Sequence, residues 1–266
     1  MTKTNSSRFS RVALAGLLVL LVAAAPVTAA SIANEDVPQE AQVGTQVTAT
    51  ITLDELYQNP TLESWQLEGT TELTNVSWTV VYYDQTGSKV NQREFTGQQF
   101  SGAPVSADTG TSEVRVRITG TVPRVQQFSY DPPQEFLLME LTQTQEGGAS
   151  NTLGTWTTHH FTERSDQARN AIDEAQAAID DAEASGANPQ EAQTDFDDAV
   201  AAYNDGSFDV AISLANRAVD KANAAQQSRQ TRQTIIYAVA GLVVVGLIVG
   251  GFLYWRSQRQ TYDRLG

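Results

Sequence analysis

The stretch Val76-Ser77-Trp78-Thr79-Val80-Val81-Tyr82-Tyr83-Asp84-Gln85-Thr86-Gly87 decides how the larger part of this chain is read. Val76, Trp78, Val80 and Tyr82 recur at period two, the mark of a strand with one buried face. Asp84-Gln85-Thr86-Gly87 supplies turn chemistry, and Lys89 and Val90 open a return strand. Working outward, Val43, Val47, Ala49, Ile51 and Leu53 alternate with Thr or Gln across 42–53. Val114, Val116 and Ile118 point one way while Arg115, Arg117 and Thr119 point the other. A denser apolar run covers 136–141, and 155–161 closes the series. Six to eight short strands punctuated by Gly, Pro and Asn predict an antiparallel β-sandwich over 34–162.

At about Glu163 the period changes to that of a helix. Ala168, Ile172, Ala175, Ile179 and Ala182 fall on one face, and Ser185-Gly186-Ala187-Asn188-Pro189 ends that helix and begins another, with Pro189 suited to a first turn. Ala192, Phe196, Ala199, Val200 and Tyr203 make the next stripe, closed by Asn204-Asp205-Gly206. Ser207 is the expected cap of a third helix carrying Phe208, Ala211, Leu214, Ala215, Ala218 and Ala222. Alanine at so many facing positions permits close approach, so residues 163–232 are expected to form a slim three-helix stalk. The third helix meets few breakers between Ala225 and Arg232 and is expected to continue into the run that follows.

That run, residues 235–255, is uncharged and apolar, with Tyr237, Tyr254 and Trp255 near its ends. At about 1.5 Å per residue it is roughly 30 Å long, the thickness of a bilayer core, and it reads as a transmembrane helix. At the other terminus Lys3, Arg8 and Arg11 precede the apolar run 12–25, then Pro26 and Val27-Thr28-Ala29-Ala30, the layout of a secretory signal peptide over 1–30 with cleavage near Ala29 or Ala30. Retained as an anchor, the same segment would put both chain ends inside the cell. Arg256, Arg259 and Arg264 against Asp263 fit a cytoplasmic tail over 256–266, although Arg229 and Arg232 weaken the contrast. The expected topology is an outside domain, one span and a short inside tail.

Between leader and span the chain holds eleven basic against thirty acidic residues, a net charge of −19. Such a surface repels nucleic acid and anionic headgroups, so no nucleic-acid partner is expected. Lysine occurs three times, at 3, 89 and 221. Acid excess with scarce lysine resembles haloarchaeal proteins, and in molar salt a Debye length of about 3 Å screens the self-repulsion. Cysteine is absent, so neither disulfides nor thiol chemistry is available and stability has to come from burial.

Two further resemblances are architectural. Val37-Pro38 with Val43-Gly44-Thr45-Gln46-Val47-Thr48-Ala49-Thr50 is similar to the first strands of immunoglobulin-like and fibronectin-like surface modules, and Ser77 through Gly87 looks like their central strand and hairpin, with Trp78 as core aromatic. Phe196, Ala199, Ala202, Tyr203, Gly206, Phe208, Ala211, Ala215 and Ala218 resemble the helix-turn-helix pattern of tetratricopeptide-type repeats, which implies a protein-interaction scaffold. One such pair is visible where a solenoid needs about three repeats, so a stalk is preferred.

Chemistry-bearing motifs are sparse. His159 and His160, the two histidines, are adjacent on an expected strand and point to opposite faces, which does not suit one metal ion. Asp180, Asp181, Asp197 and Asp198 lie on expected helices without the spacing of a calcium loop and read as a solvated acidic face. No nucleophile elbow, zinc-protease or phosphate-loop pattern occurs, and no two carboxylates stand out as a glycosidase pair. No catalytic residue, metal or cofactor is therefore expected. Asn75-Val76-Ser77 is a glycosylation sequon, and Gly246 and Gly250 are spaced for helix packing, which suggests a homodimer through the span. The expectation is a non-enzymatic, single-pass cell-surface protein that binds an envelope protein or glycan. The alternative is an accessory subunit of a transport, secretion or envelope-assembly complex that docks through its helices, and an extracellular hydrolase ranks third.

Overall fold

The computed structural model describes residues 30–58, 62–145 and 147–259; within the last helix the side chains of 230–242, 246, 248 and 250–259 are outside that description. The expected leader, Ala30 apart, and tail residues 260–266 therefore lie outside the described residues. The elements are β1 (Ser31–Asp36), β2 (Glu40–Gln42), β3 (Gln46–Asp54), β4 (Ser64–Thr70), β5 (Thr74–Tyr83), β6 (Lys89–Thr96), β7 (Gln99–Ser106), β8 (Glu113–Thr121), β9 (Glu135–Thr144) and β10 (Ser150–Phe161), followed by α1 (Glu163–Ala184), α2 (Gln190–Asn204) and α3 (Phe208–Arg259).

The strands form two five-stranded sheets, β1-β3-β8-β5-β6 and β2-β10-β9-β4-β7. Ile51, Trp78, Val116 and Ile118 of the first and Leu67, Leu138 and Leu141 of the second share one core cluster and are fully buried. Each such side chain contributes about 1.5–3 kcal/mol by leaving water, which in a chain without cysteine is the main source of stability. Trp78 donates its indole N–H to the Gly97 carbonyl at 2.9 Å and meets Phe100 edge-on at 4.9 Å. The hairpin between β5 and β6 forms as its residues dictate: the Asp84 carboxylate accepts from the Thr86 and Ser88 amides at 2.8 and 3.0 Å, and Gly87 takes φ 77°.

Among the described residues ten strands stand where six to eight are expected, and one pairing is parallel. β2 is three residues long and joins the end of β10 in the same direction. The cause is its origin. β1 runs along the edge of the first sheet toward the helices, Pro38 lies on the crossover, and the chain is still travelling that way when it meets the second sheet. Register places the loops after β3, β5, β7 and β9 at one end of the sandwich. The loop between β8 and β9, and the exit of β10, lie at the other, beside the helices.

α1 begins at the residue where the period changes. Its cap is reciprocal: the Thr162 hydroxyl accepts from the Ser165 amide at 3.1 Å, and the Ser165 hydroxyl accepts from the Thr162 amide at 2.9 Å. Ala168, Ile172, Ala175 and Ile179 of α1, Ala192, Ala199 and Tyr203 of α2, and Ala211, Ala215, Ala218 and Ala222 of α3 are buried together as the facing stripes of a three-helix bundle. The Arg229 guanidinium of α3 donates to the Ser185 carbonyl and covers Gly186, tying the turn between α1 and α2 to the third helix.

α3 is 52 residues long, about 78 Å, and continues from the bundle through 235–255. Among the described residues no helix is long and apolar enough to cross a membrane. Most side chains of 235–255 lie outside that description; Val243, Val244, Val245, Leu247 and Val249, which lie within it, are exposed.

Candidate functional site

The outer face of the first sheet carries an open hollow of about 920 Å³. Alternation builds it. With Val114, Val116 and Ile118 turned into the core, Glu113, Arg115, Arg117 and Thr119 of β8 face outward. Register then aligns rows across the strands: Asp36–Thr50–Arg117–Thr79 in one and Asn34–Thr52–Arg115–Val81 in the next. The flanking strands contribute mainly short side chains and the central strand the long ones.

Two arginines in this hollow are held differently. Arg115 donates to Glu113 at 3.0 Å and lies over the Tyr83 ring at 4.9 Å, so it is fixed in place. None of the described ion pairs involves Arg117. Thr48 and Thr119 share a hydrogen bond at 3.0 Å at the margin. The charged lining residues are Asp36 and Glu113 against Arg115 and Arg117, a balanced set in a strongly acidic chain.

A second hollow of about 520 Å³, at the helix end of the sandwich, is lined in part by Glu72, Arg124, Glu135 and His160. Glu72 and His160 are occupied structurally. The Glu72 carboxylate accepts from the Leu137 amide at 2.6 Å, and His160, 5% exposed, donates from Nδ1 to the Pro123 carbonyl at 3.3 Å. Burial holds the His160 pKa below its ordinary value, and His159 acts the same way against the opposing Pro123 carbonyl and Glu72.

His159 turns away from His160 and donates from Nδ1 to the Gln134 carbonyl at 2.9 Å. Asp180 and Asp181 of α1 and Asp197 and Asp198 of α2 are exposed; Asp180 accepts from Gln176 at 2.7 Å and Asp197 from Gln193 at 3.0 Å. Among the described residues no group of three or more His, Asp or Glu could hold a metal ion. Asn75 is exposed at the start of β5 with φ 52°, and Ser77 of its sequon borders the outer hollow. Gly246 and Gly250 lie on the α3 backbone, and their surroundings are outside the described residues.

Two arrangements escaped the sequence reading. Asp195, 3% exposed, accepts from Arg217 at 2.5 Å and Lys221 at 2.8 Å, bridging α2 to α3. Its position between Ala192 and Ala199 on the buried stripe was the available signal. The other is the joint between sandwich and helices. Phe128 and Tyr130, on the loop between β8 and β9, pack edge-on against Tyr203 at 6.2 and 6.1 Å. Arg169 of α1 lies over the Tyr130 ring at 4.8 Å and donates to the Ser129 and Tyr130 carbonyls at 3.0 and 2.9 Å. The Tyr130 hydroxyl donates to Asp173 at 2.5 Å, and its amide to the Asn204 side chain at 2.8 Å.

No family model matches the chain, and no curated protein matches it. Among solved structures it is similar to a sporulation control protein from Bacillus subtilis, at 12% identity over 55% of both chains with a TM-score of 0.30. It is also similar to an alkylpurine DNA glycosylase from Pseudomonas fluorescens, at 14% identity over 51% of this chain and 31% of that one with a TM-score of 0.24. A cohesin module of a glycoside hydrolase from Clostridium perfringens matches at 14% identity over 51% of this chain and 99% of the module, with a TM-score of 0.26. The chain thus spans about half the length, or less, of the first two. Likeness at this level carries no function across.

Proposed function

We propose that this is a non-enzymatic, single-pass membrane protein that holds its two-sheet, immunoglobulin-like domain outside the cell on a three-helix stalk and binds an envelope component there. The observation that carries the reading is one continuous helix. α3 begins against the sandwich joint, forms the third member of the bundle and extends through the uncharged run 235–255 to Arg259. A helix of about 78 Å is longer than the roughly 30 Å a bilayer core requires, so one element serves as both stalk and span. Secretion by the leader accounts for the sidedness. Ala30 is 5% exposed and packs into the sandwich core, which favours a cut after Ala29 over one after Ala30. The −19 charge suits an exposed surface in molar salt.

The test is protease shaving of intact cells at high salt, followed by detection of a tag at residue 266. Loss of the sandwich and stalk with survival of a small tagged membrane fragment is the expected result. Full protection of the chain until the cells are lysed would sink the reading.

A further inference from the structure

We infer that the outer hollow of the β1-β3-β8-β5 face is a binding site for a neutral polysaccharide chain, with the Arg117 guanidinium as its principal hydrogen-bond donor. The inference rests on the surface reading for where such a chain is met.

The shape admits an extended ligand. The hollow crosses four strands, and its volume of about 920 Å³ lies within the roughly 300–1,000 Å³ of ordinary small-molecule sites. Its lining is hydroxyl-rich, with Thr50, Thr79, Thr119 and Ser77 presenting groups that both donate and accept. Arg117 stands between Thr50 and Thr79 and is part of none of the described ion pairs, although acidic residues outnumber basic ones 31 to 17 in the chain. A planar guanidinium left unpaired offers two parallel donors, the geometry that spans adjacent hydroxyls on a sugar ring.

Charge selects among ligands. The lining carries two acidic and two basic side chains, so it has no excess positive charge to hold an anionic polymer, and its hydroxyls and guanidinium suit a neutral polyol. Protein partners fit less well. The face lacks the exposed aromatic and aliphatic anchors that drive such contacts, and the Tyr83 ring is already covered by Arg115. Asp36 and Asn34 at the β1 side supply acceptors opposite the Arg117 donor, so both edges of a sugar ring find partners.

The experiment is retention of the detergent-solubilised full chain on the deproteinised neutral polysaccharide fraction from the envelope of the producing cells, immobilised and read in molar salt. Arg117→Ala, an exposed change, should weaken retention roughly tenfold or more, and Thr79→Trp, which fills the hollow, should abolish it. Arg124→Ala, outside the hollow, should leave it intact. Periodate cleavage of vicinal diols in the matrix should remove the signal. Unchanged melting of each variant excludes unfolding as the cause. Absence of retention, retention indifferent to Arg117→Ala and Thr79→Trp, or preference for an immobilised polyuronate would each overturn the inference. Because the chain is solubilised, retention together with a protease-protected domain in cells would defeat the surface reading alone.

Discussion

Phe128, on the loop between β8 and β9, stands edge-on to Phe208, the first residue of α3, with ring centroids 4.7 Å apart and planes at 85°. The sandwich therefore touches the start of the helix whose far end is the proposed span. Phe208 also meets Tyr203 at 5.5 Å, and Tyr203 is fully buried, so the joint is continuous with the bundle core.

Truncating Phe128 should uncouple the two halves. Phe128→Ala removes two edge-on ring contacts, each worth about 0.5–1.5 kcal/mol beyond area, and leaves a gap against Phe208 and Tyr203. The expected result is a single cooperative melting transition resolving into two, sandwich and bundle, by scanning calorimetry. One transition displaced as a whole would show that the two halves stay coupled without the Phe128 ring.

A close approach in the first sheet gives a sharper test of packing. A Cβ added at Gly120 would lie 2.9 Å from the Leu73 Cβ and 3.2 Å from the Thr74 carbonyl oxygen, and neither neighbour is the free end of a flexible chain. Gly120→Ala should destabilise the sandwich by about 1–3 kcal/mol in a denaturant melt. A neutral effect would mean that β5 yields where it enters the sheet.

Legibility in the sequence followed how local each feature is. The β5–β6 hairpin and the helix stripes from Ala168 to Ala222 are set by periods within one element, and the structure has them where the sequence puts them. β4 and β7 are not readable in this way. Gly69 stands where a large inward residue would mark the strand, and the Phe100 ring of the neighbouring strand fills its space. β7 is irregular between Phe100 and Ala103, with Gly102 at φ 78°, so its alternation breaks. β1 is exposed along its length and has no buried face to declare. The outward direction of Arg115 and Arg117 was legible, but their alignment with Thr50 and Thr79 depends on register between strands distant in sequence. Phe128 and Tyr130 lie among Pro and Gln without period, and their packing is fixed by α1 and α2 rather than by their neighbours.

His160 makes the sandwich sensitive to mild acid. Burial holds its pKa below the ordinary value, with Phe136 at 5.1 Å on one side and His159 and Glu72 as the charged or titrating neighbours. The folded state thus resists protonation more than the unfolded chain, whose histidine titrates near about 6.5. Stability is fully present above that value and is lost as pH falls through the lower folded pKa. His160→Gln should flatten the melting temperature between about pH 6.5 and the onset of carboxylate titration. Persistence of the same slope in the variant would assign it to another group.

Asp195 governs a separate, more acidic limb in the bundle. Its hydrogen bonds from Arg217, then Lys221, hold its pKa below the ordinary carboxylate value, and burial opposes them without prevailing. A depressed carboxylate stabilises the fold above its unfolded pKa of about 3.9 and loses that contribution as pH falls through the folded one. Asp195→Asn should cost about 1–3 kcal/mol at neutral pH and should remove the acid limb below about pH 4. Because the Arg217 and Lys221 side chains are 57% and 39% exposed, molar salt screens part of the interaction and moves the cost toward the lower end. Arg217 donates from two nitrogens and Lys221 from one, so a double-mutant cycle should give Arg217 the larger coupling to Asp195. Negligible losses for Arg217→Ala and Lys221→Ala, with the acid limb intact in Asp195→Asn, would assign the α2–α3 contact to alanine packing alone.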